Sequence, residues 1–399
     1  MRRRFHSGRD FRESLSIEEL RAIARRRLPA FILEYLEGGA EDEVTLRRNR
    51  RAFERLAFVS KTLVDVTRRD LSVEVFGKTL PLPIAIAPTG SNGLLARRGD
   101  LALARAAAAA GIPFIQSTVS TLKLETIAAE AGGRRWMQLY MLKDRAVTEA
   151  IVGRAAAAGC EALVVTTDTV VFGNREWDQR HYAGPDKLRL TSKLEILAHP
   201  RWMLDVLAPN GVPVFENLLE FLPGRKGNPI ETRAFLVQQM DASITFADIA
   251  WLRRIWPRKL VVKGILDADD ARRAADAGAD GIVVSNHGAR QLDGAVSPME
   301  ALPGIAKAVG ERLCVMIDGG FRRGTDVVKA MALGADLVLL GRATLYGLAA
   351  GGEEGVKHAI AILSKEIDRT VGLLGATCLK ECVGRVRVDG VTNDHTHEP

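Results

Sequence analysis

From Pro83 onward the chain alternates two kinds of segment: a short run apolar at nearly every position, then an Ala-rich run with helical spacing. Continuous apolar strands suit a sheet buried on both faces, and helices between them suit parallel neighbours, so the pattern predicts βα units. Eight strands are expected, at Pro83 to Pro88, Pro113 to Thr118, Arg135 to Met141, Ala162 to Asp168, Lys259 to Ile265, Gly281 to Asn286, Cys314 to Gly320 and Leu337 to Arg342. Eight such runs fit an α/β fold of the closed (β/α)8 TIM barrel type better than an open doubly wound sheet. Gly111, Gly159 and Gly278 stand where helices between them should stop.

One interval breaks the rhythm. About 90 residues separate strands four and five, where short βα connections suffice, so a long insertion after strand four is expected at about 170–245. Its centre, Val212 to Pro223, is apolar for something outside a barrel. Ahead of the barrel, residues 17–38 read as helices, with Ser16 as N-cap and Glu19 completing a capping box, stopped at Gly38-Gly39. The expected organisation is an N-terminal helical cap and lead-in over 1–82, a barrel over 83–376 whose final helix runs from about Glu353 to Leu374, and a tail over 377–399.

Composition narrows the function classes. The 399 residues carry 56 Lys+Arg against 49 Asp+Glu, and 47% are hydrophobic, an ordinary globular balance that excludes a collagenous or mainly disordered chain. No apolar run reaches the roughly 18 residues of a membrane span, and the basic start Met1 to His6 lacks a following apolar stretch. A cytoplasmic protein, at most peripheral on the inner face of the membrane, is expected. Cys160, Cys314, Cys378 and Cys382 are too sparse for a disulfide framework, and Cys378 with Cys382 lacks the further His or Cys of a metal site. The basic clusters Arg2 to Arg4 and Arg25 to Arg27 have no interleaved aromatics, so no nucleic-acid partner is expected.

Barrel enzymes place their chemistry at the C-terminal strand ends. There this chain has Pro88-Thr89-Gly90, Ser117, Gln138 with Tyr140, Thr166 with Asp168, Lys263, Ser285 to Arg290, Asp318 to Arg322, and Gly341-Arg342. Gly319-Gly320 with Arg322, and Gly341 with Arg342, form a phosphate-binding pattern: glycines let backbone approach and arginines supply charge. His287 with Asp168 is the pairing that makes an imidazole a directed general base, and Arg290 stands ready for an anionic substrate. Lys263 reads equally as a Schiff-base nucleophile, as in a class I aldolase, as a phosphate ligand, or as a fixed charge beside an anionic cofactor.

The segments Ser285-Asn286-His287-Gly288-Ala289-Arg290-Gln291-Leu292-Asp293 and Asp318-Gly319-Gly320-Phe321-Arg322-Arg323-Gly324 resemble the FMN-dependent (S)-2-hydroxy acid dehydrogenase and oxidase family, over nearly the whole chain. Gly99 to Arg105, His199 to Trp202, Gln239 to Ser243 and Gly341 to Ala349 are most similar to its (S)-mandelate dehydrogenase branch. The resemblance implies FMN as cofactor. Pro88, Thr89, Gly90, Ser117, Gln138, Thr166 and Lys263 would lie along the isoalloxazine, with Ser285, Asp318, Gly320, Arg322, Gly341 and Arg342 toward the rest of FMN. Lys263 then takes the third of its readings, and aldolase chemistry is set aside.

It also implies the substrate contacts. Arg290, Arg175 and Tyr35 would hold the carboxylate, Tyr140 the α-oxygen, and His287 would act as base with Asp168 behind it. Val119 stands where glycolate oxidases have a bulky Trp, which favours an aromatic substrate such as mandelate. Gly90 replaces an alanine of the oxidases, from which slow reaction with oxygen and transfer of electrons to a quinone or other acceptor are expected. A homotetramer is implied, as is peripheral membrane contact through the insertion, for which Val212 to Leu222 is the candidate, a substrate lid being the other reading of that stretch. The alternatives within the chemistry are an L-lactate dehydrogenase or an oxidase making hydrogen peroxide. Outside it stands a phosphate-ligand binding protein without turnover, against which the set His287, Asp168, Arg290 and Lys263 argues.

Overall fold

The computed structural model describes residues 8–184 and 187–388. The basic start Met1 to His6 and the tail beyond Val388 lie outside the described residues. Eight parallel strands close into a barrel: β1 (Ile84–Ile86), β2 (Phe114–Gln116), β3 (Arg135–Tyr140), β4 (Ala162–Thr166), β5 (Lys259–Ile265), β6 (Gly281–Val284), β7 (Cys314–Ile317) and β8 (Leu337–Leu340). Each pairs with the next, and β8 pairs with β1 through Val338–Ile84, Leu339–Ala85 and Leu340–Ile86. The ladders are shorter than the apolar runs. Residues such as Ser117, Asp168 and Asn286 have left the sheet and form the loops at its C-terminal rim.

Alternation along the strands divides the core in two. Ala85, Ile115, Trp136, Ala162, Val164, Val261, Val283, Met316, Leu337 and Leu339 point into the barrel and are fully buried. Their neighbours Ile84, Ile86, Leu163, Val165, Val262, Ile282, Ile317 and Leu340 face the helices. A hairpin (Val73–Val75 with Lys78–Leu80) plugs the N-terminal end, its Phe76 ring 5.6 Å from that of Trp136. The lead-in therefore serves both ends, since α1 (Ile17–Arg27), α2 (Ala30–Glu37) and α3 (Val44–Glu54) lie toward the opposite, C-terminal rim, where Glu18 nears Arg322, Leu36 O accepts from Arg342 and Asn49 meets Asn286.

Helices α4 (Gly99–Ala109), α5 (Leu124–Glu130) and α6 (Arg145–Ala157) connect the first strands, and α7 (Leu190–Ile196) belongs to the insertion between β4 and β5. The last helix, Arg342–Leu373, starts directly after β8 and breaks at Gly351 and Gly352, whose backbones leave helical geometry, so its second part begins at Glu353. No helix among the described residues is long and apolar enough to cross a membrane.

The insertion packs differently from its sequence pattern. Within Val212 to Leu222, Leu218 and Asn217 are buried, and Asn217 Nδ2 donates to Ser117 O at 3.3 Å. Glu216 and Asn217 also accept from the backbone at Lys123 and Leu124, so this stretch is a wall laid against the β2 loop. The exposed leucines stand earlier: Leu190, Leu194, Leu197 and Leu204 are 71%, 58%, 63% and 69% exposed. The first three recur at helical spacing on one face of α7 and its C-cap.

Candidate active site

The loop after β6 carries the most constrained backbone. His287, Gly288 and Ala289 have φ of 57°, 64° and 66°, a left-handed run that costs roughly 1–3 kcal/mol at each non-glycine position. The surroundings hold it there. Asn286 accepts from Ala289 N at 3.1 Å and exchanges amide hydrogen bonds with Asn49 of α3 at 2.9 and 2.8 Å. His287 N donates to Ser285 Oγ at 3.0 Å. Asp293 in turn caps α3 by accepting from Val44 N and Thr45 N, so cap and loop fix each other.

This places His287 Nδ1 2.8 Å from Asp168 Oδ1, with Thr169 Oγ1 3.1 Å from both atoms. A carboxylate only accepts, so Nδ1 carries the hydrogen and Nε2 is left with a lone pair. Burial would raise the Asp168 pKa, but the charges of His287 and Lys263 and the hydrogen bonds from His287 and Thr169 outweigh it and hold the carboxyl at about 2. The close approach of β5 to Asp168 requires a glycine: a Cβ on Gly264, at φ 111°, would stand 2.7 Å from Asp168 Cβ.

Across the mouth, Lys263 Nζ donates to Ser285 Oγ at 2.9 Å and pairs with Asp318 Oδ2 at 3.1 Å. Burial pushes the Lys263 pKa down, and Asp318 and Asp168 overcome that and raise it, so the side chain is a fixed cation. Gln138 joins three strand ends, donating to Thr166 Oγ1 at 3.0 Å and accepting from Ser117 Oγ and Thr118 N. Two buried carboxylate oxygens here, Asp318 Oδ1 and Asp168 Oδ2, find no hydrogen-bond partner among the described residues. Such atoms call for a donor, from solvent or from a ligand. Gly319 and Gly320, at φ 100° and 88°, open the backbone beside Asp318. A hydroxyl-bearing, phosphorylated cofactor such as the expected flavin fits these groups.

The third part of the site is cationic. Arg290 and Arg175 flank the Tyr35 ring at 5.1 and 5.9 Å from its centre. Arg290 gives its hydrogen bonds to the carbonyls of Tyr35 and Gly38, at 2.7 and 3.0 Å, rather than to a carboxylate. Burial, then repulsion from Arg175 and Arg342, lowers its pKa, the signature of a positive cluster that an anion would relieve. Tyr140 lies within the fields of Asp168, Tyr35, Arg175 and Arg290. Burial and then Asp168 push its pKa up, so it stays a phenol able to donate. Tyr35 OH reaches Gly90 O at 3.5 Å, and Val119 packs against Gly90.

The expected residues thus form one rim, but the arginines differ in what they do there. Arg342 donates to the carbonyls of Leu36, Gly288 and Gly38 at 2.9, 2.8 and 3.0 Å, stitching cap to barrel. Arg322 stacks over Tyr346 at 5.3 Å, with Glu18 3.9 Å away. Sequence reasoning missed Asn49, Thr169 and Gln291, whose Nε2 donates to Asp168 O at 3.0 Å. Gln291 lies in the motif after β6 and was within reach; nothing local marks Asn49 or Thr169.

A family model described as FMN-dependent dehydrogenase matches residues 24–387. The chain is 45% identical over 380 residues to an (S)-mandelate dehydrogenase of Pseudomonas putida, covering 95% of each. It is 40% identical over 373 residues to an L-lactate dehydrogenase of Alcaligenes faecalis, covering 94% of this chain and 98% of that one. Its fold is similar to the crystal structure of the monotopic membrane protein (S)-mandelate dehydrogenase, with TM-score 0.91 at 44% identity, covering 94% and 100% of the two chains. A mandelate oxidase variant with (S)-mandelic acid is similar at TM-score 0.78 and 38% identity, covering 95% and 99%.

Proposed function

The chain belongs to the FMN-dependent dehydrogenase family, an enzyme with FMN as cofactor and a small 2-hydroxy acid as substrate, and we propose that it oxidises mandelate or a related aromatic (S)-2-hydroxy acid to the 2-keto acid. One observation carries the reading: His287, held by Asp168 with Nε2 as its open acceptor, shares a rim with the Arg290 and Arg175 pair, in which Arg290 spends its hydrogen bonds on the carbonyls of Tyr35 and Gly38.

In this reading Arg290, with Arg175 and Tyr35, binds the substrate carboxylate, exchanging carbonyl contacts for a stronger charge-assisted pair. Tyr140 donates to the α-oxygen. His287 Nε2 takes a proton from the substrate, and Asp168 stabilises the imidazolium formed. Pro88, Thr89, Gly90, Ser117, Gln138, Thr166 and Lys263 would hold the FMN ring, with Ser285 and Asp318 toward its hydroxyl-bearing chain and Gly320, Arg322, Gly341 and Arg342 toward its phosphate. FMN, when bound, would supply the two-electron acceptor, taking the two electrons together with the second hydrogen that the substrate gives up. Lys263 supplies fixed positive charge where negative charge then gathers.

Val119, small beside Gly90, supports a wide pocket and the aromatic substrate. The family resemblance supports a homotetramer and a quinone or other non-oxygen acceptor. For the membrane, the support is the leucine face Leu190, Leu194 and Leu197, with Lys193 on the same helix and the exposed Leu204 further along the insertion, which suits peripheral contact with an anionic inner-membrane surface.

The test is anaerobic mixing of the holoenzyme with (S)-mandelate and, separately, L-lactate while following the flavin absorption. Faster bleaching by mandelate is expected. Faster bleaching by lactate makes the protein a lactate dehydrogenase, and rapid peroxide formation in air makes it an oxidase.

A further inference from the structure

Asp100 is fully buried in the first turn of α4 and takes no part in the chemistry above. A carboxylate in such a place needs donors, and it has them on both sides. Its Oδ1 accepts from Asn92 Nδ2 at 2.8 Å; its Oδ2 accepts from Thr121 N at 2.9 Å and Thr121 Oγ1 at 2.6 Å. The donors come from two different strand-end loops.

Asn92 belongs to the loop after β1, where its side chain donates to Thr89 O at 2.9 Å and accepts from Thr89 Oγ1 at 2.9 Å. Thr121 belongs to the loop after β2, and its hydroxyl also accepts from Gly93 N of the first loop at 3.0 Å. Between these anchors, Ser91 N donates to Val119 O at 3.2 Å, and a Cβ placed on Gly90 would stand only 2.4 Å from Val119 Cγ2. Gly90 and Val119 are thus in full contact, with Asp100 tying the loops that carry them.

We propose that Asp100 is a positioning residue that sets the spacing between Gly90 and Val119, and through it which α-substituent the substrate slot admits. The proposal rests on the reading of Gly90 and Val119 as slot walls. Because the two are in contact, a shift of a few tenths of an ångström in one loop moves the slot's edge, which alters the fit of a phenyl group more than that of a methyl group.

The experiment compares the ratio of flavin reduction efficiencies with (S)-mandelate and L-lactate in FMN-loaded Asp100→Asn, Thr121→Val and parent enzymes. Asp100→Asn keeps the size but turns an N–H toward an existing donor, breaking one arm. Thr121→Val removes the hydroxyl bridge and leaves Asp100 in place. Both should change the ratio by about tenfold, the scale of a methylene-sized misfit in an apolar pocket. Ile151→Ala, a buried α6 position away from the rim, is the control that lowers the melting temperature without moving the ratio.

Loss of stability in Asp100→Asn and Thr121→Val with an unchanged ratio would make Asp100 merely structural and overturn the proposal. If Asp100→Asn does not fold, the ratio in Thr121→Val decides alone. A parent enzyme that neither substrate bleaches would sink the functional reading itself, an outcome distinct from an unchanged ratio.

Discussion

Asp168 and His287 meet at 2.8 Å across 119 residues of sequence, joined by a hydrogen bond that fixes which imidazole nitrogen is free. Asp168→Asn replaces the acceptor with a group that can present an N–H to Nδ1 and favour the wrong tautomer. In hydrolase triads that change costs about 10⁴ in turnover, and a loss of about 10²–10⁴ in the rate of flavin reduction is expected here, with FMN retained. Single-turnover absorbance measures it, and a loss under tenfold would remove the dyad from the mechanism.

The same pair makes a pH-dependent contribution to stability. The Asp168 carboxyl sits at about 2 in the folded protein against its ordinary 3.8. A depressed acid stabilises above its unfolded pKa and loses that contribution as pH falls through the folded one, so about 2 kcal/mol should vanish between roughly pH 4 and 2. Denaturant titrations of the parent and Asp168→Asn should converge over that window. Parallel curves would show that the pair contributes nothing.

Arg290→Lys keeps the charge and loses the planar fork. A compact ammonium cannot serve a carboxylate with two parallel hydrogen bonds, so KM for the hydroxy acid should rise by about tenfold or more. Steady-state kinetics with an artificial acceptor would show it, and an unchanged KM would move carboxylate binding elsewhere on the rim.

Val119 already touches Gly90, so Val119→Trp must carry its extra bulk into the proposed substrate slot. Efficiency with (S)-mandelate should fall by about 100-fold while L-lactate loses much less, since overfilling a pocket penalises the larger substrate first. Equal losses on both substrates would mean that Val119 does not border the substrate.

Leu190→Ser, Leu194→Ser and Leu197→Ser together remove three exposed apolar side chains from one face of α7. At about 1.5–3 kcal/mol for each leucine transferred into an apolar phase, their loss should shift the protein from the membrane fraction to the supernatant without changing mandelate turnover. Retention on membranes would place the contact elsewhere.

Much of this was legible beforehand. Near-continuous apolar runs separated by helical ones made strand count and barrel closure readable, because a parallel sheet buried on both faces imposes that local pattern on every strand. His287, Asp168, Lys263 and Arg290 could be named because strand ends are where barrel chemistry sits. The apolar stretch after strand four was legible as an insertion but not in its orientation. Leu218 and Asn217 turn inward because the β2 loop offers them partners, and Leu190, Leu194, Leu197 and Leu204 are left outside.

What the sequence determined by itself, then, is the architecture and which polar side chains gather at the strand ends, since both are written in local periodicity and in short motifs. What the tertiary structure alone decided is how those groups are held. Asn49 locks the left-handed loop of His287 from 237 residues away, and Asp100 ties two strand-end loops together. Arg342 turns to backbone carbonyls because two from the cap, Leu36 and Gly38, and one from the loop after β6, Gly288, converge on it. Hydrogen bonds of this kind depend on distances that exist only once the barrel has closed, and no spacing along the chain encodes them.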